Sequence, residues 1–236
     1  MPETGVMALP RVLEPEVMDT AEEAADYDAM DHGAVNERFA EDFLAVASGA
    51  RHVLDVGTGT ALIPIELCRR AKEVTVEALD LAAHMLALAE RNVARAGLAG
   101  RISLSRRDAK AAGWPAASFD AVVSNSIVHH IPRPADLLAE MWRLTRPGGR
   151  LFVRDLERPE SEARVAELVA RYATVPDELP HAERAMHERQ RALFEASLRA
   201  ALTVDEVRAI VAPLGIAPGD VMATSDRHWT LSSGKP

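Results

Sequence analysis

The chain has 236 residues, 48% of them apolar and 27% charged, enough to bury one α/β core. A formal charge of −9, from 36 acidic against 27 basic side chains, disfavours nucleic acid and anionic membranes as partners, because phosphate-binding surfaces concentrate Lys and Arg on one face. The basic pairs Arg69-Arg70 and Arg106-Arg107 stand isolated among apolar or acidic neighbours and read as solvated surface.

Residues 1–33 are rich in acid, proline and alanine and predict a loosely ordered cap, interrupted by Asp26-Tyr27-Asp28-Ala29-Met30. They contain no charged-then-apolar leader, and no stretch approaches the roughly 18 apolar residues of a membrane span, so a cytoplasmic location is expected. Val35, Phe39, Phe43 and Val46 recur at helical spacing up to Ser48-Gly49. An apolar strand, His52 to Val56, then enters the turn Gly57-Thr58-Gly59-Thr60, where glycine admits backbone angles closed to other residues and lets a ligand lie against bare main chain. The helix after it carries Cys68, the one cysteine, which reads as a small buried hydrophobe and excludes an internal disulfide.

A second strand, Val74 to Leu79, ends at Asp80, roughly 20 residues beyond the glycines, where a carboxylate accepts the hydroxyls of a ribose or caps the following helix. That helix, with Met85, Ala89 and Val93 on one face, stops at Gly97. Ile102 to Leu104 leads to Asp108-Ala109, and Ala121 to Val123 leads to Ser124-Asn125-Ser126-Ile127-Val128-His129-His130. A helix with Leu137, Leu138, Met141 and Leu144 closes at Arg146-Pro147-Gly148-Gly149, before a fifth strand from Leu151 to Val153 that ends in Arg154-Asp155. These two charged residues are expected to line a pocket or to pair with each other.

Beyond the fifth strand the pattern turns helical. Residues 157–202 predict an inserted helical lid, broken near Val175-Pro176 and Leu179-Pro180, with a long helix from about His181. Thr203-Val204-Asp205-Glu206 is a capping box, and Asp220 to Thr224 with Arg227 to Ser232 reads as a terminal hairpin. The whole predicts one α/β domain over 1–236: a doubly wound, Rossmann-like, mostly parallel seven-stranded sheet with a C-terminal antiparallel hairpin and a helical lid.

The turn lacks the small residue of a dinucleotide fingerprint, since Leu62 stands there. Asp55 two residues before Gly57, and Ala61 two after Gly59, make D-V-G-T-G-T-A, which resembles the first motif, D/E-x-G-x-G-x-G, of the class I S-adenosylmethionine (SAM) dependent methyltransferases, with alanine in the last place. Asn125 to His130 is similar to the N-x-x-x-H-H segment that small-molecule members carry after the fourth strand. The resemblance implies SAM as cofactor and a small-molecule substrate. It implies cofactor contacts from Asp55, Gly57, Thr58, Gly59, Asp80, Leu81, Met85, Asp108, Ala109 and Asn125; Tyr27 is expected to join them, and catalytic roles are expected for Asn125, His129 and Tyr172.

Tyr27 and Tyr172 are the only tyrosines, and a ring facing a sulfonium gains about 1–2 kcal/mol when desolvated; ordinary helix packing is the other reading. Adjacent histidines without a third ligand at suitable spacing make a poor metal site, so no metal is expected. Two other activities remain open: cyclisation of SAM to azetidine-2-carboxylate and methylthioadenosine, with Asn125, Tyr172 and Ser197 facing the amine, and a non-catalytic SAM-binding subunit.

Overall fold

The computed structural model describes residues 9–15, 17, 19–30, 33–176 and 178–236. Strands β1 (His52–Val56), β2 (Thr75–Asp80), β3 (Ile102–Arg106), β4 (Phe119–Asn125), β5 (Thr145–Leu156), β6 (Val221–Ala223) and β7 (His228–Gly234) form one seven-stranded sheet in the order β3-β2-β1-β4-β5-β7-β6. The first five are parallel, and β7 runs antiparallel between β5 and β6. Strand order reverses between β1 and β4, and ligands of open α/β sheets bind outside the carboxyl ends at such a point.

Alternation along the strands sends side chains into two apolar layers. Leu54 and Val56 of β1 and Val122 of β4 face α5 (Pro134–Leu144) and α8 (Val204–Val211), where Leu137, Met141, Val207 and Trp229 are fully buried. Val53, Ala121 and Val123 face α2 (Gly33–Val46), α3 (Leu62–Arg70) and α4 (Ala83–Arg95), with Phe39, Phe43 and Leu67 at zero exposure. Each such large side chain contributes about 1.5–3 kcal/mol by leaving water. Cys68 is buried here, as its apolar neighbours imply.

The expected strands form with shifted ends, the furthest at β5. β5 begins at Thr145, upstream of the apolar run, and Arg146 to Gly149 bulges within it, with Gly148 at φ 72°. Thr145 pairs with Phe119 before the register shifts to Ala121 opposite Arg150. Gly149 permits this, since a Cβ there would stand 2.6 Å from the carbonyl oxygen of Asp120.

The cap is more firmly tied than its composition suggests, although residues 1–8, 16, 18, 31 and 32 of that expectation lie outside the described residues. The segment 9–15 crosses the carboxyl ends of the strands. Val12 donates its amide to the Arg199 carbonyl at 3.0 Å, and Arg11 donates to the carbonyls of Ala200, His129 and Ile131. Helix α1 (Ala21–Asp28) follows, with Thr20 and Glu23 forming a capping box. The lid helices α6 (Glu162–Tyr172) and α7 (His181–Ala200) share a small core of Leu156, Val165, Leu168, Val169 and Leu198. Arg189 and Gln190 of α7 bond Asp26 of α1, clasping cap to lid.

Candidate active site

A crevice at the switch point gathers most of the residues named from sequence. Gly57, Gly59, Asp80, Leu81, Met85, Asp108, Ala109, Asn125 and Tyr27 line it, together with Val17, Arg107, Lys110 and Ile127. Asp55 and Thr58 line a small cleft that continues it beneath Tyr27, Gly57 and Asn125. Gly57, Gly59 and Ala61 all have positive φ, at 72°, 54° and 63°. A Cβ on Gly57 would lie 2.3 Å from Ile127 Cγ2, so glycine is required there by space as well as by φ.

Asp80 holds the floor of the crevice. Its Oδ2 accepts the Gly59 amide at 2.8 Å and its Oδ1 accepts the Ala82 amide at 2.9 Å, so it ties the glycine turn to the residue that precedes α4, without capping the helix itself. Burial pushes its pKa up, opposed by these amides. At the third tip, Asp108 Oδ1 accepts the Lys110 amide and pairs with its ammonium at 3.0 Å, which holds its pKa down.

At the inner end, two buried acceptors have no hydrogen-bond partner: Asp55 Oδ2 and Asn125 Oδ1. Burial pushes Asp55 up to about 7; the Thr58 hydroxyl opposes the shift and the nearby Asp80 charge adds to it. Tyr27 is pushed up to about 12 by burial and by Asp80, Asp55 and Asp28. An ammonium group supplies what two orphaned acceptors lack, and a ribose supplies hydroxyls to Asp80. The amino-acid and sugar parts of SAM fit this donor set.

Beyond Tyr27, Asn125 and Ser126 the crevice gives onto a chamber of about 600 Å³ under the lid, walled by Met30, Leu156, Met186, Leu193 and Phe194 among apolar residues. His129, His130 and Ser197 line its inner side. Tyr172 lies at its wall, 41% exposed, with its hydroxyl donating to Asp226 at 2.8 Å and the Arg227 guanidinium over its ring. The hydroxyl is thus engaged away from the crevice.

His129 is held rather than free. Its Nδ1 is 2.5 Å from Asp155 Oδ1, and Asp155 Oδ2 also accepts the amides of Val128 and His129, which shapes the short 3-10 turn Val128–His130. Burial alone would lower the His129 pKa, but the charge and hydrogen bond of Asp155 overcome it and raise it. His130 is pushed down to about 3 by burial and by its neighbour His129. Glu14, from the cap, stands against both rings, its pKa raised by burial. Arg154 does not join the pocket or pair with Asp155: its Nη2 bonds Asp42 at 2.8 Å and its Nε bonds Thr230 on the other side of the sheet. Glu14 and Arg11 were not legible as site residues, since nothing in an acid- and proline-rich segment marks one carboxylate among many.

The sheet order, the glycine turn and the acids at successive strand tips are those of the Rossmann-like fold of the class I SAM-dependent methyltransferases. Residues 53–149 match the family model described as a methyltransferase domain. The demethylmenaquinone methyltransferase of Deinococcus radiodurans is 38% identical over 117 residues, covering 50% of this chain and 48% of that protein. A ubiquinone biosynthesis O-methyltransferase of Xylella fastidiosa is 34% identical over 125 residues, covering 53% and 49%. The chain thus spans about half the length of the curated relatives it matches. Among solved structures, a SAM-dependent methyltransferase from Aquifex aeolicus superposes with a TM-score of 0.62 at 18% identity, covering 91% of this chain and 98% of that one. The plantazolicin methyltransferase BamL, crystallised in complex with a triazolic desmethylPZN analog and S-adenosylhomocysteine (SAH), gives 0.63 at 17% identity over 85% and 70%. SAM is the family's cofactor. No helix of the described residues is long and apolar enough to cross a membrane.

Proposed function

We propose that this protein transfers the methyl group of SAM to a small molecule seated in the lid chamber. The observation that carries the reading is the chamber itself: about 600 Å³ of mixed apolar and polar lining, meeting the cofactor crevice at Tyr27, Asn125 and Ser126. Bound SAM supplies an electrophilic methyl on a sulfonium, so the protein's task is mainly alignment, potentially about 7–11 kcal/mol of the barrier. In this reading Asp80 orients the ribose, Asp108 and Ala109 bound the base, and Asp55 with Asn125 receives the ammonium. Tyr27 separates crevice from chamber, and the α1–α7 clasp keeps water out. Asn125 is the residue assigned to position the reacting groups. His129 and Tyr172 keep places at the acceptor: His129 on the inner side, locked by Asp155, and Tyr172 as wall. Cap, sheet and lid act as one domain over 1–236, and the lone buried thiol suits a reducing cytoplasm.

A second reading rests on Asn125. Its orphaned amide oxygen suits the amino group of SAM, which, once it has lost a proton to solvent, would attack SAM's own carbon chain and break the C–S bond, with Ser197 and Tyr172 on the same chamber wall. Product analysis separates the readings. SAH formed only when a small-molecule acceptor is added supports methyl transfer. Methylthioadenosine and azetidine-2-carboxylate from SAM alone would replace it with cyclisation, and binding without turnover across an acceptor panel would leave a SAM-binding subunit.

A further inference from the structure

Three donor atoms converge where the cap crosses the fourth strand tip. Glu14 Oε1 lies 3.4 Å from His129 Nε2 and 3.1 Å from His130 Nδ1, and the three atoms all fall within 4.8 Å of one another. The turn Val128–His130 makes this possible for neighbouring residues by stacking their rings, centroids 4.2 Å apart and tilted by 35°. The adjacent pair lacked a third ligand in sequence; the fold delivers one from more than a hundred residues upstream.

Several features distinguish the cluster from an ordinary ion pair. His130 Nδ1 is buried and has no well-aligned hydrogen-bond partner although Glu14 Oε1 stands 3.1 Å away, a pairing that a shared cation would satisfy. Donors about 2.0–2.1 Å from a tetrahedral ion stand about 3.3 Å apart, which the two measured edges bracket. The groups behind the donors are those a metal site requires. Asp155 engages His129 Nδ1 at 2.5 Å and directs Nε2 inward, and Ser197 donates to Glu14 Oε1 at 3.1 Å. Both histidines line the chamber, which supplies an entry path.

We propose that Glu14, His129 and His130 form a three-ligand site for a divalent transition ion of the zinc type, with its open coordination toward the chamber. Two imidazoles and one carboxylate select such an ion over magnesium or calcium, which take oxygen ligands. The ion replaces the proton between His129 and Glu14, and its charge adds to the Arg11 guanidinium in balancing the two buried carboxylates, Glu14 and Asp155. The open position faces the acceptor space, where a water or an acceptor's oxygen would bind; only this last clause rests on the methyltransferase reading.

The full chain, stripped with a chelator and dialysed, is titrated with Zn²⁺ alone by calorimetry and with Co²⁺ by visible absorption. Expected are one equivalent of Zn²⁺, the strong d–d bands of a low-coordinate Co²⁺ site, and a raised Tm with Zn²⁺. Glu14→Gln and His130→Ala are each expected to weaken binding at least about 100-fold, beyond the loss typical of an outer-shell change. If His130→Ala fails to fold by circular dichroism, the isosteric Glu14→Gln decides alone. Absence of stoichiometric binding by the wild type, or equal binding by Glu14→Gln, overturns the proposal. SAM titrated into the same samples keeps the two readings apart, since SAM binding without zinc binding sinks only the metal site.

Discussion

The carboxylate of Asp80 accepts the Gly59 amide at 2.8 Å, so the acid positioned for the ribose also anchors the glycine turn on which the rest of the ligand lies. Asp80→Ala removes a charge-assisted bond within the turn and the ribose anchor together. SAM affinity is expected to fall by about 1.5–3 kcal/mol, roughly 10- to 100-fold, with a lowered Tm even without ligand. Calorimetry with SAM and a thermal melt of the free protein check both. Unchanged affinity in a folded variant would remove Asp80 from the site.

Gly57 faces Ile127 so closely that a Cβ would lie 2.3 Å from Cγ2 and 2.5 Å from Cδ1, at φ 72°. Cγ2 is fixed near the backbone and cannot swing aside as a side-chain tip would. Gly57→Ala is therefore expected to cost about 2–4 kcal/mol from strain and overpacking, and Gly57→Ala with Ile127→Ala less than the two single losses added. Urea denaturation of the three variants measures the coupling. Strict additivity would show that φ alone sets the requirement.

Much of this site was legible because its chemistry is local. Gly57, Gly59, Asp80 and Asp108 sit at strand ends whose apolar runs fix where the tips fall, and one crevice is lined by all four. The start of β5 was hidden, because Arg146-Pro147-Gly148-Gly149 has turn composition and is bulged out between Thr145, which pairs with Phe119, and Arg150, which pairs with Ala121. Glu14 was hidden for a different reason: its value comes from contacts with His129 and His130, and no local periodicity encodes an approach over that separation. Arg154 and Asp155 are adjacent in sequence yet serve opposite faces of the sheet, as alternation along a strand demands.

Asp155 is fully buried and accepts from His129 Nδ1 and from the amides of Val128, His129 and Leu156. Asp155→Asn keeps the shape but places an amide NH₂ or a neutral oxygen against these donors. A loss of about 3–5 kcal/mol is expected, in the range for breaking a buried charged pair on one side. Chemical denaturation gives the magnitude, and amide exchange at 128–130 shows whether the loss is local. A change below about 1 kcal/mol would mean the turn is held by other contacts.

Asp55 couples stability to pH in the direction opposite to a salt-bridged carboxylate. Its folded-state pKa is raised to about 7, chiefly by burial, from an ordinary 3.8. Below the ordinary value both folded and unfolded chains hold the proton, and the group is neutral in its effect. Between the two values the unfolded chain releases the proton while the folded one keeps it, so stability falls as pH rises, by up to about 1.4 kcal/mol per unit. Above about 7 the slope ends, with a full penalty of ~4 kcal/mol in place. Asp55→Asn removes this contribution, so its stability relative to wild type is expected to climb from pH 4 to pH 7 and then level off. SAM binding is expected to tighten with rising pH through neutrality in the wild type, as the ionised carboxylate meets the ammonium, and to lose that slope in the variant. Urea midpoints and SAM affinities across pH 4–9 for both proteins test the two together. Parallel stability profiles would show that Asp55 ionises normally in the folded chain.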